Sequence, residues 1–317
     1  MKIAIVITTY NGAHCLARAI KSAQAQTCPP SEIIVVDDGS TDDTAALLNA
    51  TPGLRAIIQP NTGVSAARNR GARESTSDWL LFLDYDDDLL PKALEHFKHH
   101  AEAHPGFEVY YGDIAVERQG GRGWRLSGAP TSEGPVPAAA LANFYRVQIL
   151  APGAVLMKKS LLHAAGGWDT RYDSVEDQDL YIRAGALTEF KYCGGTILRK
   201  NMQHANVSSN WRITALRGLR CTVEHLARCR QAGRAREFRS ISAQKALNLA
   251  LRRSLRYNDR ELLDQLLKEA GELGVLTFWA WLFRRSFRLG AAYARFWAIV
   301  DYYIPSVAER WRYGRLG

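Results

Sequence analysis

The chain has 317 residues, 47% hydrophobic and 23% charged, a balance that excludes wholesale disorder and supplies core for one large domain or two unequal ones. Its net charge of +9 is unevenly placed: residues 1–210 carry 20 Lys+Arg against 23 Asp+Glu, a net of −3, and residues 211–317 carry 21 against 9, a net of +12. Two parts with different partners are expected, and no run of 18 apolar residues marks a conventional membrane span.

In chain order, "KIAIVIT" is an apolar, β-rich run that reads as a buried first strand, too short for a signal peptide and ended at once by Thr-Thr-Tyr-Asn. A polar turn leads into a helical pattern around "LARAIKSAQAQ". "EIIVVDDGS" predicts a second strand, "DDTAALLNA" a helix begun by Asp or Thr, and "LRAIIQ" a third strand. "GVSAARNRGARES" predicts a helix and "DWLLFLD" a fourth strand. Continuous apolar strands alternating with helices imply a parallel sheet covered on both faces. Ligands of such sheets sit beyond the carboxyl ends of the strands, and Thr8–Asn11, Asp37–Ser40 and Asp84–Asp88 all fall there. Further on, "VYYGDIAVERQGGRGWRLSG" reads as strands around a Gly-rich turn, "APGAVLMKKSLLHAAGGWD" as strand then helix, and "VEDQDLYIRAGAL" as a helix with acids in its first turn. Beyond residue 211 the pattern is helical. Five scattered cysteines (Cys15, Cys28, Cys193, Cys221, Cys229) with no CxxC suit a reducing cytosol.

Four motifs carry chemistry. Asp84, Asp86, Asp87 and Asp88 crowd one loop, where like charges raise one another's pKa. Asp84 and Asp86, two apart across Tyr85, suit a hard divalent cation, which takes one or two carboxylates plus substrate phosphates. The bland alternative is a solvated turn with Asp87 or Asp88 capping a helix through "PKALEHF". In "VVDDGS" a strand-end carboxylate can accept the N3–H of a uracil, or an Asx turn can lead into the helix; the turn suits Asp37 or Ser40 and leaves one Asp for ligand. Arg68 and Arg70 lie in a helix just before the acidic strand, where a guanidinium fits a diphosphate or base, or is merely solvated. Glu176, Asp177 and Asp179 open a helix, as a general base or as ordinary N-terminal acids, and His204 is a candidate cation ligand or phosphate donor.

The blocks "VITTYNG", "VVDDGSTDDT", "NTGVSAARNRG", "LLFLDYDDDLLPKALE", "GAVLMKKSLLHAAGGWD", "VEDQDLYIR" and the later H-x-x-x-S-S follow one another at spacings that resemble family 2 glycosyltransferases over roughly residues 1–210. The resemblance implies an α/β GT-A fold, a Rossmann-like nucleotide-binding sheet flanked by helices, with an α-helical C-terminal region. It further implies a catalytic domain over 1–210, whose nucleotide-sugar half is 1–104 and acceptor half 105–210, followed by a basic helical region, 211–317. The implied activity is metal-dependent, inverting transfer of a sugar from a nucleotide-diphosphate sugar, UDP by family habit, to a glycan or lipid-linked glycan hydroxyl. Such activity fits cell-surface polysaccharide synthesis. By the same resemblance Thr8 and Tyr10 look like nucleoside contacts, Asp38 reads the base, and Arg68 is the basic residue of the nucleotide site. Asp86 is the direct ligand of Mn²⁺ or Mg²⁺, and Asp84 faces ribose or metal. His204 falls where a later histidine contacts metal or diphosphate. Asp177 matches the base, Glu176 orients it or the acceptor, and Trp168 and Asp169 match an acceptor-side block that often carries Phe in place of Trp168.

The resemblance says little about residues 211–317. There Trp279, Tyr293, Phe296 and Trp297 share one helical face opposite Arg284, Arg288 and Arg295, which suits a helix lying at an anionic membrane interface, or one packed on the catalytic domain or across a homo-oligomer. The expected location is the cytoplasm, at the inner face of the cell membrane. A metal-dependent nucleotidyltransferase shares acidic strand ends but leaves "VEDQDL" unexplained. A nucleic-acid binder would use the +12 tail, yet its aromatics form an apolar stripe rather than alternating with arginines, so no nucleic acid is expected. No GxGxxG follows the first strand, which disfavours a dehydrogenase.

Overall fold

The four apolar runs become β1 (Ile3–Thr9), β2 (Glu32–Asp37), β3 (Arg55–Ile58) and β4 (Trp79–Asp84) in the computed structural model. The structure describes residues 1–117, 124–126, 150–172, 174–201, 216–218, 220–221, 224–225 and 259–272. Helices α1 (Ala13–Gln24), α2 (Thr44–Ala50) and α3 (Val64–Glu74) connect the four strands, all paired in parallel in the order β3-β2-β1-β4. The chain runs outward from β1 to β3 and then returns to β4 on the other side. The switch of direction between β1 and β4 opens a crevice at their carboxyl ends.

Alternation explains why both faces are dry. Ile3, Ile5 and Ile7 of β1 join Leu81 and Leu83 of β4 in one core with Leu16 and Ile20 of α1. Ala4, Val6, Leu80 and Phe82 point the other way, into a second core with Trp168 and Leu180. Successive strand residues point to opposite faces, so a strand covered on both sides must be apolar throughout.

The four strands bear out the parallel sheet read from the sequence, and past β4 the sheet becomes mixed. β8 (Val155–Lys158) pairs antiparallel with β4, and β6 (Val109–Glu117) antiparallel with β8. β9 (Lys191–Asn201) runs parallel to β6, β5 (Asp88–Leu89) pairs antiparallel with β9, and β7 (Trp124–Leu126) lies off β6 as the predicted hairpin partner. Burial on both faces makes a strand apolar whichever way it runs, so the apolar runs carried no direction.

The sheet must also curl. Four steps separate β4 from β5 across it, about 19 Å at roughly 4.8 Å each, yet Asp84 and Asp88 are joined by chain that reaches at most about 14 Å. A register irregularity between β6 and β9, near Gly194 and Gly195 at φ 67° and 68°, bends β9 toward β5. Helices α4 (Ala93–Ala103), α5 (Lys159–Ala164) and α6 (Glu176–Gly185) complete the described part of the first of two compact units, Met1–Asn206. In the second unit, Val207–Gly317, the longest described element is α7 (Arg260–Glu272), which buries Leu262, Leu266 and Leu267. The aromatic and arginine faces expected between 275 and 300 lie outside the described residues, as does His204. Among the described residues no helix is long and apolar enough to cross a membrane.

Helix α3 lies so close to the sheet that a Cβ at Gly71 would overlap Val6 Cγ1 and press on Val36. Gly71→Ala is therefore expected to destabilise by about 1–3 kcal/mol, less up to about 1 kcal/mol of helix propensity, in urea denaturation. An unchanged or raised midpoint would mean that α3 has room to spare.

Candidate active site at the strand ends

Strand register brings the polar ends together. Thr8 lies level with Asp84 across β1–β4, and Thr9 level with Asp37 across β1–β2. Asn11, left-handed at φ 51°, donates its N–H to Ser40 Oγ (2.8 Å) and accepts from the Thr41 N–H (2.8 Å). The Gly12 N–H reaches Thr44 Oγ1 (3.2 Å), so the first two loops are stitched together and Tyr10 is left half exposed at the rim. Gly12 is required by close approach, because a Cβ there would strike Thr9 Oγ1 and the ring of Tyr85.

The two strand-end aspartates divide their work. Asp37 Oδ1 accepts from the N–H (3.0 Å) and Oγ (2.5 Å) of Ser40, which is the expected Asx turn, while its buried Oδ2 has no partner among the described residues. Asp38, the residue expected to read a base, is 4% exposed and already engaged. It accepts from Gln59 Nε2 (2.7 Å), the Thr62 N–H (3.0 Å) and the Gly63 N–H (2.7 Å), and so fixes the start of α3.

The acidic loop is braced from outside. Asp88 accepts from Arg18 Nε (2.7 Å) and Asn201 Nδ2 (3.2 Å), and both side chains also donate to the Asp86 carbonyl. Asp87 accepts from the Asn201 N–H (3.2 Å). Asp87 and Asp88 are buried and the first turn of α4 is met instead by Gln26, whose Oε1 accepts the Leu94 N–H (3.1 Å), so the loop is not a solvated turn capping that helix. Ligand oxygens of Asp84, Asp86 and Asp87 lie within 4.8 Å of one another. Three hard oxygen donors at that spacing fit Mg²⁺ or Mn²⁺. Burial pushes the Asp87 carboxyl up, against the pull of Lys200.

Arg68 joins this loop to the acids of α6. Its guanidinium is 3% exposed and donates to Asp84 Oδ1 (2.7 Å) and Glu176 Oε1 (2.9 Å), with its carbon 4.4 Å from the centre of the Trp168 ring. Burial works against its charge, but Asp84 and Glu176 hold it protonated more firmly than usual; burial is likewise the largest single influence on Asp84, yet Arg68 and Lys200 together lower its pKa. Both arms of the Arg68 fork thus engage carboxylates, and Trp168, 2% exposed and edge-on to Phe82, forms the floor under Arg68. Asn69 fixes that floor by exchanging hydrogen bonds with the Trp168 backbone (2.7 and 2.9 Å).

Beside Glu176, Asp177 accepts the Gln178 N–H (2.7 Å), and burial, then the Glu176 charge, push its carboxyl up to about 7. The helix carrying both acids starts after Val175 at φ 66°. A β-branched residue there costs on the order of 1–3 kcal/mol, strain of the kind concentrated at functional sites. Asp179 pairs with Arg183, which also donates to the Ala165 carbonyl, so this acid is structural. Asp169 is held by Arg171 (2.7 Å). Sequence reasoning missed Arg18, Lys200 and Asn201, and named Asp87 only among the crowded acids; Lys200 and Asn201 sit in "LRKN", where no motif marks them.

Removing one partner of a buried ion cluster leaves charge unpaired. Arg68→Met should therefore destabilise by about 3–5 kcal/mol in chemical denaturation, and Arg68→Lys should recover only part, because an ammonium lacks the planar fork. A loss below about 1 kcal/mol would show that the bridge is dispensable.

Residues 4–166 match the model of Glycosyl transferase family 2. A PGL/p-HBAD biosynthesis glycosyltransferase of Mycobacterium bovis is 31% identical over 185 residues, 56% of this chain and 68% of that protein. The succinoglycan biosynthesis protein ExoO of Rhizobium meliloti is 35% identical over 127 residues, 39% of this chain and 36% of its own length. The chain thus spans about a third of that relative, and of a matching Nostoc sp. glycosyltransferase (31%). Among solved structures, S. aureus TarS 1–349 in complex with UDP-GlcNAc superposes with a TM-score of 0.69 at 18% identity, covering 99% of this chain and 93% of that one, which shows the GT-A fold. By the extent of the family match and the coverage of the mycobacterial relative, the chain belongs to the family 2 glycosyltransferases.

Proposed function

We propose that this glycosyltransferase moves a sugar from a UDP-sugar to a hydroxyl of a glycan or lipid-linked glycan, with inversion at the anomeric carbon, in the synthesis of a cell-surface polysaccharide. The observation that carries the reading is the Arg68 bridge, which joins Asp84 at the end of β4 to Glu176 beside Asp177. A donor-side acid and an acid poised near neutrality therefore belong to one site. The relatives named for succinoglycan and PGL/p-HBAD biosynthesis, and the UDP-GlcNAc bound by TarS, support the donor and acceptor classes.

In this mechanism Tyr10 and Thr8 contact the nucleoside at the rim, with the Asp37–Asp38 turn facing the base. Asp84, Asp86 and Asp87 would hold the divalent cation, with His204 as a further ligand. When bound, Mn²⁺ or Mg²⁺ supplies positive charge where the departing diphosphate gathers negative charge. Inversion needs one in-line displacement, hence one base and no protein nucleophile. Asp177 takes the proton of the acceptor hydroxyl as it attacks C1. Glu176, fixed by Arg68, keeps the Asp177 carboxylate basic by its own charge. With Trp168 enclosed, acceptor contacts fall to Glu176 and Asp169. Residues 1–210 act as the catalytic domain, and the basic 211–317 region holds the enzyme at the anionic inner face of the membrane, near a lipid-linked acceptor.

Incubation with UDP-sugars and Mn²⁺ should release UDP, and proton NMR of the product should show an inverted anomeric centre; pyrophosphate release or retained configuration would contradict the reading. Asp177→Asn should lower kcat by about 10²–10⁴ while leaving UDP affinity within a few-fold. The carboxylate is the working form, so kcat/KM should be lost as pH falls through about 7 and reach a plateau above it. A profile flat from pH 5 to 9 would remove Asp177 as the base.

A further inference from the structure

Lys200 is a partly buried cation beside the acidic loop that the mechanism does not use. In β9 it lies level with Val116 of β6, one residue from Asn201, whose hydrogen bonds hold the acidic loop at Asp86, Asp87 and Asp88. Strand alternation turns its neighbour Arg199 outward to Glu117 (2.9 Å), both largely solvated, and turns Lys200 inward, its side chain 26% exposed. The ammonium is 3.9 Å from Asp87 Oδ2, and its charge is also felt by Asp84, Asp86 and Asp177. At that distance the ammonium is a counter-charge to the loop rather than a tight partner of one carboxylate.

We propose that Lys200 is a positioning residue that acts as the resident counter-charge of the cation site, holding the acidic loop together in the metal-free enzyme and competing with the divalent ion for it. The proposal rests on the reading of Asp84, Asp86 and Asp87 as that site. A monovalent charge on a tether neutralises part of the carboxylate repulsion without filling the oxygen-lined space. It keeps the loop folded before donor arrives, and it weakens capture of free metal, so that an ion enters best together with a diphosphate whose charge the ammonium also favours.

The test is Mn²⁺ titration by electron paramagnetic resonance, with and without UDP, alongside thermal unfolding of the metal-free protein, for wild type, Lys200→Met, Lys200→Gln and Lys200→Arg. The uncharged variants should bind Mn²⁺ alone at least about tenfold more tightly, as expected when a like charge some ångströms away is removed. They should unfold at lower temperature without metal and gain more on adding Mn²⁺ than wild type does. Lys200→Arg should match wild type in both readouts. Equal or weaker Mn²⁺ binding by the uncharged variants, with wild type binding normally, would overturn the proposal while leaving the cation site intact. No Mn²⁺ binding by wild type even with UDP would overturn the site reading and this proposal together. A variant that folds only with Mn²⁺ would support the proposal, and failure of both uncharged variants to fold at any Mn²⁺ concentration would overturn it.

Discussion

The site depends on one buried guanidinium. Arg68 comes from a helix that could not hold it there unless α3 lay close against β1, and it is stacked on Trp168 between two carboxylates. Burying a charge is tolerable only when its partners are equally fixed. Each partner is: Asp84 is set by the register of β4, Glu176 by the first turn of α6, and Trp168 by Asn69 and Phe82. The bridge spans 16 residues on one side and 108 on the other, so it ties the strand-end acids to a helix from a distant part of the chain. Its two ion pairs tie the strand-end acid Asp84 to the first turn of α6.

The acidic loop solves a related problem by different means. Its carboxylates are crowded because β4 and β5 are separate strands joined by three residues, and the curl of the sheet brings them together. Arg18 and Asn201 take the outward-facing groups, namely the Asp86 carbonyl and the Asp88 carboxylate, while Lys200 tempers the inward-facing ones. What remains are oxygens of Asp84, Asp86 and Asp87 close enough for one hard cation.

Much of this was legible in the residues. The runs at β1, β2 and β4 are apolar throughout because both faces are covered, and a polar cluster at each carboxyl end pointed to one crevice. Strand direction in the second half was not legible, since burial is the same for parallel and antiparallel neighbours. Side-chain commitments were less so. The partners of Asp38 and Trp168 are tertiary, Thr62 and Gly63 for one and Arg68 for the other, and no local pattern in their sequence blocks announces them. Lys200 was hidden for the same reason: in "LRKN" only strand pairing tells which basic residue turns in.

A crystal structure of the enzyme with Mn²⁺ and an unreactive UDP-sugar analogue tests the central claim most directly. It should show the ion on the Asp84–Asp86 side, the sugar's C1 facing Asp177, and Arg68 still spanning Asp84 and Glu176. A nucleotide bound with Asp177 turned away from the sugar, or with Arg68 released from both acids onto the diphosphate, would contradict the account.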